Sequence, residues 1–242
     1  MDESKHNFKR YEKKYLLPRA VYPLLMERLA PDLEPDEYPQ GTVCSVYYDW
    51  DDFRLIRHSL DAPVYKEKLR LRAYNPKGPG CEVFIELKKK YKGIVYKRRL
   101  ATTEEQAEAW IAGGPAPEDS QIARELQWFL LENPLSPKVL IAADRVSWRS
   151  REDAELRITF DEQIRWRDKE LHLSKGSWGE AILPDNEVLM ELKLPGAVPL
   201  WLARLLSEFQ LYPVGFSKYG VCYQHDLFQS DFEGGNPFCL TV

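Results

Sequence analysis

The chain has 242 residues, 44% of them hydrophobic and 30% charged, with a formal net charge of −4. That composition excludes a disordered chain, and the length suffices for a substantial core in one large domain or two small ones. No apolar run reaches the roughly 18 residues of a membrane span, no leader-like segment opens the chain, and Cys44, Cys81, Cys222 and Cys239 form no C-x-x-C pair, so a cytoplasmic protein with free thiols is expected.

In chain order, Phe8–Leu17 predicts a strand, and Pro18 opens a helix through about Leu29. Thr42–Trp50 is rich in β formers, and Asp51–Leu60 predicts a short helix with Asp51 as its N-cap. Strands Val64–Tyr74 and Glu82–Lys90 flank the turn Asn75-Pro76-Lys77-Gly78-Pro79-Gly80, and Gly93–Leu100 is a third strand. Thr103 is placed to cap a helix to about Ala112, and a second helix spans Glu118–Leu131. Val139–Arg149, Ala154–Asp161, Gln163–Arg167 and Glu187–Leu194 read as strands, and Pro199–Phe209 as a helix. Residues 224–242 read as a loose tail on a single domain over 1–242, whose core runs from about 7 to 223.

The modest net charge conceals a segregation. Residues 63–100 hold 12 Lys and Arg against 3 acidic residues, a local charge of +9 that leaves −13 on the remainder. So concentrated a positive field calls for a polyanion. With period two, Lys66, Lys68, Arg70 and Arg72 share one strand face, about 6.6 Å apart. The same alternation puts Glu86, Lys88 and Lys90 on one face, and likewise Arg157, Thr159 and Asp161, Glu191 and Lys193, and Arg10, Glu12 and Lys14. A sheet with one wet face alternates in the same way, and a lone strand favours that plain reading. Five strands whose polar faces prefer Arg, Lys and Glu point instead to a shared interior. The fold class expected is α+β: a closed antiparallel β-barrel forming a polar tunnel, with helices packed outside. Arg forks and Lys charges suit phosphate oxygens, and carboxylates among them require a hard divalent metal, Mg²⁺ or Mn²⁺. A metal-assisted polyphosphate site is the class derived.

The runs Tyr11-Glu12-Lys13-Lys14-Tyr15, Lys68-Leu69-Arg70-Leu71-Arg72-Ala73-Tyr74 and Phe84-Ile85-Glu86-Leu87-Lys88 resemble the VTC domain. So do Arg157-Ile158-Thr159-Phe160-Asp161, Met190-Glu191-Leu192-Lys193 and Ser217-Lys218-Tyr219. That domain is the polyphosphate polymerase module of the vacuolar transporter chaperone complex, within the triphosphate tunnel metalloenzymes. The resemblance implies a barrel of about eight strands and transfer of the γ-phosphoryl group of ATP onto a growing inorganic polyphosphate chain. It implies phosphate-binding roles for Lys14, Lys68, Arg70, Arg72, Lys88, Lys97, Arg145, Arg157 and Lys218, with Lys218, Arg70 and Arg72 as the catalytic set. Glu191 corresponds to the metal-binding glutamate. ATP and polyphosphate are the implied partners, without nucleic acid; a membrane partner and the oligomeric state stay open. Two departures stand out. Arg10 replaces the first Glu of the Glu-x-Glu-x-Lys run of the hydrolytic enzymes, which leans away from hydrolysis, and Val214-Gly215-Phe216 lacks a cation found there in the family. A triphosphate or short-polyphosphate hydrolase and a non-enzymatic polyphosphate-binding module remain the alternatives. His6, His58, His172 and His225 are scattered and take no catalytic role.

Overall fold

In the computed structural model, which describes residues 11–76 and 78–227, the alternating segments form one antiparallel sheet. The expected strand start at Phe8, Arg10, His6, Cys239 and the tail beyond 227 lie outside the described residues. The elements are β1 (Tyr11–Pro18), α1 (Val21–Leu29), β2 (Leu33–Asp49), α2 (Arg54–Leu60), β3 (Tyr65–Tyr74), β4 (Glu82–Tyr91) and β5 (Ile94–Thr103). They continue with α3 (Glu104–Ile111), α4 (Gln121–Glu132), β6 (Ser136–Ser150), β7 (Arg157–Arg167), β8 (Glu180–Ala181), β9 (Glu187–Leu194), α5 (Leu200–Glu208) and α6 (Lys218–Cys222). Hydrogen bonding orders the strands β1-β9-β7-β6-β2-β3-β4-β5, with β8 attached to β7.

The apolar strand faces point outward and helices cover them. Trp110, Leu126 and Phe129 of α3 and α4 pack on Leu69, Leu71, Ile85 and Leu87. Leu25, Leu29 and Leu202 of α1 and α5 pack on Ile158, Phe160, Met190 and Leu192. Each such buried side chain contributes about 1.5–3 kcal/mol, which fixes the helices outside and turns the charged faces in. One end of the interior is apolar: Tyr219 and Cys222 of α6 pack on the inward residues Tyr47, Ile141 and Leu189. Tyr47 and Tyr219 stack with centroids 5.0 Å apart.

The expected barrel closure is not made by hydrogen bonds. The ladder ends at β1 and β5, with no pairing between them among the described residues. Val214 N donates to Lys14 O (2.8 Å), so the segment before α6 occupies an edge of β1 that a neighbouring strand would need. Side chains span the gap instead, through the 2.7 Å Lys88–Glu12 ion pair between β4 and β1.

Several element bounds also differ from expectation. β2 begins at Leu33 rather than Thr42; Pro35 and Pro39 mask its start, and its register with β6 shifts between Pro35 and Gln40. The two expected strands 154–161 and 163–167 are the single β7. Their apparent break is a bulge, where Gln163 takes φ 46° and the register with β6 shifts. α1 begins at Val21 because Pro18 still belongs to β1. Asp51 does not cap α2: it accepts from Lys138 (2.7 Å) and Ser136 (3.0 Å). Asp49 does that work, accepting from Leu55 N (2.8 Å) and Ile56 N (3.0 Å), and from Tyr219 Oη (3.0 Å). The expected Thr103 cap is present, accepting from Gln106 N at 3.3 Å. α6 and β8 have no counterpart in the sequence reading, being too short to carry a period.

Candidate functional site

A cavity of about 530 Å³ lies within the curl of the sheet, lined by the first seven strands, by β9 and by the segment 213–218. Lys66, Lys68, Arg70 and Arg72 of β3 all line it, as the period-two reading requires. The file spans about 20 Å. In register across the β3–β4 pair, Lys66 opposes Lys90 and Lys68 opposes Lys88. Directly opposed like charges destabilise a sheet, so stability does not account for these pairs.

The carboxylates organise the other cations into knots. Glu86 is fully buried and holds Arg70 Nη2 (2.6 Å), Arg99 Nε (2.6 Å), Lys97 (3.5 Å) and Arg72 Nε (3.9 Å). Burial raises its carboxyl, but Arg70, Arg72, Lys97 and Arg99 together hold it well below the usual range. A second knot joins β6, β7, β9 and α6. Arg145 grips Asp161 through two bonds (2.6 and 2.7 Å), and Lys218 reaches Asp161 (2.6 Å) and Glu191 (3.2 Å). Lys14 lies 3.5 Å from Glu191 and also donates to Phe216 O (2.8 Å). Burial works against ionised Glu191, yet Lys218, Lys14 and Arg145 keep it well below its ordinary value. Against the same opposition from burial, Lys88 brings Glu12 down to about 2.

Other cavity cations have no close carboxylate partner among the described residues. Lys68 donates to Ser217 Oγ (2.9 Å), and burial together with Lys14, Lys88, Lys66 and Arg70 brings it down to about 7. Arg72 donates to Ser45 Oγ at 3.1 Å. Lys193 makes no ion pair or hydrogen bond among the described residues; burial, with Arg145 near it, brings it to about 8.

Of the residues singled out from the sequence, Lys14, Lys68, Arg70, Arg72, Lys88, Arg145, Glu191 and Lys218 all line the cavity. Lys97 and Arg157 do not: Lys97 sits on Glu86, and Arg157 lies 3.4 Å from Asp36. Arg98 of β5 points outward and binds Glu125 of α4 at 2.6 Å. Glu86 is enclosed by Arg70, Arg72, Lys97 and Arg99 and is not among the cavity-lining residues. Asp161 and Glu12 fall on the predicted inward faces, and only their partners in the fold give them a role. Ser45 and Tyr47 carried no signal beyond β propensity. His58 lies 3.0 Å from Tyr65 O and His172 2.9 Å from Glu108, both outside the cavity lining.

Among the described residues, one group of three metal-ligating side chains has its ligand atoms within 4.8 Å: Glu104, Glu108 and His172. It lies outside the cavity, and Glu104 already accepts from the backbone N–H groups of Leu173 and Ser174. No helix among the described residues is long and apolar enough to cross a membrane.

Comparison with known proteins agrees with this architecture. The family model described as the VTC domain matches residues 9–225. A candidate adenylate cyclase from Bacillus halodurans is similar in structure at 15% identity, covering 87% of this chain and 94% of its own, with a TM-score of 0.53. A Hippeastrum protein, proposed as an adenylyl cyclase and described as having a dominant triphosphatase activity, is 16% identical. It covers 92% of this chain and 96% of its own, with a TM-score of 0.50. At these identities the likeness is one of fold. No curated protein sequence matches.

Proposed function

The chain belongs to the VTC domain family, and on that premise we propose that it transfers the γ-phosphoryl group of ATP onto inorganic polyphosphate. The observation that carries this reading is the surplus of cavity cations. Lys66, Lys90 and Lys193 line the cavity outside the close carboxylate pairs and beyond the set that would hold one triphosphate. Phosphoryl transfer asks mainly for alignment and charge neutralisation. Arg70 and Arg145, locked on Glu86 and Asp161, would present pre-aimed guanidinium faces. Lys14, Lys68, Lys88 and Arg72 would hold the phosphates in line. Lys218, held between Asp161 and Glu191, would neutralise the transferred group. The acceptor is itself an anion, so no general base is required.

The family implies a divalent metal, and Glu12 and Glu191 line the cavity with carboxylate oxygens, the ligands of a hard cation such as Mn²⁺ or Mg²⁺, whereas both oxygens of Asp161 are taken by Arg145 and Lys218. Glu191 would hold it, and the ion would neutralise phosphate charge. Glu191→Gln is expected to abolish metal-dependent turnover. It should also lower the melting temperature, because Lys14, Lys218 and Arg145 lose their shared partner. Wild-type turnover with Mn²⁺ would remove Glu191 from the metal site.

A hydrolase of triphosphate or short polyphosphate is the second reading. The apolar filling of one end by α6 favours it, because a growing polymer needs an exit. The deciding assay incubates the purified protein with ATP and Mn²⁺, resolves polymer on a gel and measures free phosphate in parallel. Polymer is the expected product. Free phosphate alone would establish the hydrolase, and tight polymer binding without turnover a passive module.

A further inference from the structure

The β2–β6 register runs Leu33↔Ser150, Glu34↔Arg149, Pro35↔Trp148 and then jumps to Gln40↔Val146. Residues 36–39 therefore stand opposite Ser147 alone. Tyr38 in this bulge is 78% exposed. Asp36 turns the other way: its side chain is 10% exposed, it accepts from Ser147 Oγ (2.9 Å), and it meets Arg157 Nη1 at 3.4 Å.

Arg157 is poorly served by this arrangement. Among the described residues it has one long contact to the carboxylate, and its buried Nε has no hydrogen-bond partner. Thr159, the next inward residue of β7, has a buried Oγ1 that also lacks one among the described residues. Buried donors are seldom left so, and two adjacent ones mark a place short of acceptor oxygens. A single long pair on a partly exposed arginine stabilises little. Arg157 is also the ladder partner of Lys193, which lines the cavity with no ion pair or hydrogen bond of its own among the described residues. The inward cations thus continue past the cavity from Lys193 to Arg157, where a carboxylate meets them.

We propose that Asp36 is an internal stand-in for phosphate that caps the cation track at Arg157 and thereby limits the length of chain the site grips. This rests on the polyphosphate reading of the cavity. A phosphate at Arg157 would offer more oxygens and more charge than Asp36, and it would supply the acceptor that Nε lacks. A short ligand held among Lys14, Lys68, Arg70 and Arg72 does not reach that point. A long one competes with Asp36 for Arg157.

Asp36→Asn keeps an acceptor for Ser147 and removes the charge. Titration calorimetry with tripolyphosphate and with long-chain polyphosphate, over a series of salt concentrations, tests the idea. Long polyphosphate should bind about five- to tenfold more tightly to the variant, with its salt slope steeper by about one unit through counterion release. Tripolyphosphate affinity should stay within about twofold. Arg157→Gln should erase the gain in the Asp36→Asn background. An equal gain for both ligands, a gain that survives Arg157→Gln, or no gain would overturn the proposal. Asp36→Ser, which keeps an oxygen acceptor for Ser147 and removes the charge, decides the matter by the same readout even if Asp36→Asn does not fold. A wild-type protein that binds neither ligand would overturn the polyphosphate reading itself, and the cap with it.

Discussion

Arg70 and Arg72 sit two residues apart on β3 and face the same cavity, but their bonding separates them. Arg70 forms two bonds to buried Glu86 (2.8 and 2.6 Å) and a third to Tyr47 Oη (3.2 Å). Arg72 is 3.9 Å from Glu86 and donates to Ser45. Arg70→Ala should therefore behave chiefly as a folding mutant, losing about 3 kcal/mol as a buried charge is left short of a partner. Arg72→Ala should melt near the wild type and lose about 1.5–3 kcal/mol of tripolyphosphate affinity. Calorimetry and thermal melting on both variants separate the two roles. Equal stability losses would show that Arg72 is structural as well.

Lys68 adds a proton to the same account. Its native pKa of about 7 lies below its ordinary 10.5, chiefly through burial and then through Lys14, Lys88, Lys66 and Arg70. Between those two pH values the native chain binds fewer protons at this site than the unfolded chain, so its contribution to stability rises with pH across that window. A bound polyanion reverses the repulsion and restores the charge. Tripolyphosphate binding at pH 8 should then take up protons, seen as different binding enthalpies in buffers of different ionisation enthalpy. Lys68→Met should reduce both the uptake and the stability slope, leaving the share of Lys193. Identical enthalpies in every buffer would show that Lys68 stays charged throughout.

At the scale of elements, the segment ending in α6 has the most structural consequence and gave the weakest sequence signal. It lies along β1 through Val214, carries Lys218 into the Asp161–Glu191 knot, and fills one end of the interior with Tyr219. Ser217 ties it down twice, accepting from Gly220 N (3.1 Å) and from Lys68 (2.9 Å). Ser217→Ala removes a helix cap worth about 1 kcal/mol and should lower the melting temperature by roughly 2–4 °C. It should lower turnover more than that loss explains, because Lys218 is the next residue. Unchanged turnover would detach the cap from the site. The long strands were legible because their outward faces must be apolar and their inward faces are charged; β3 and β9 follow this residue by residue. What escaped the sequence was set by partners far along the chain. Asp49 caps α2 in place of Asp51 because Tyr219 meets it from 170 residues away. The bulge at Gln163 exists only against β6.

For the molecule as a whole, the +9 window becomes β3, β4 and β5, one wall of the cavity. The acids Glu12, Asp161 and Glu191 come from β1, β7 and β9. Segregated charge was visible in composition, whereas the pairing of Glu86 with four cations and the side-chain closure between β1 and β4 were not. They depend on how far the sheet curls. The wall retains repulsion in the opposed pairs Lys66–Lys90 and Lys68–Lys88, where Lys88 has the carboxylate of Glu12 beside it. Repulsion of this kind falls with ionic strength, so the ligand-free protein should melt at higher temperature as salt rises from low values. A polyanion relieves it more completely, and only in the folded state, where the file is assembled. At about 100 times its dissociation constant, tripolyphosphate should stabilise the fold by about 2.7 kcal/mol, a rise of roughly 5–10 °C. The two effects oppose each other: salt that stabilises the free protein weakens the ligand, so the ligand-induced shift should shrink as salt increases. A melting temperature that ignores both salt and tripolyphosphate would mean that the inward lysines are already neutral or solvated, and the cavity would lose its claim to a polyanion.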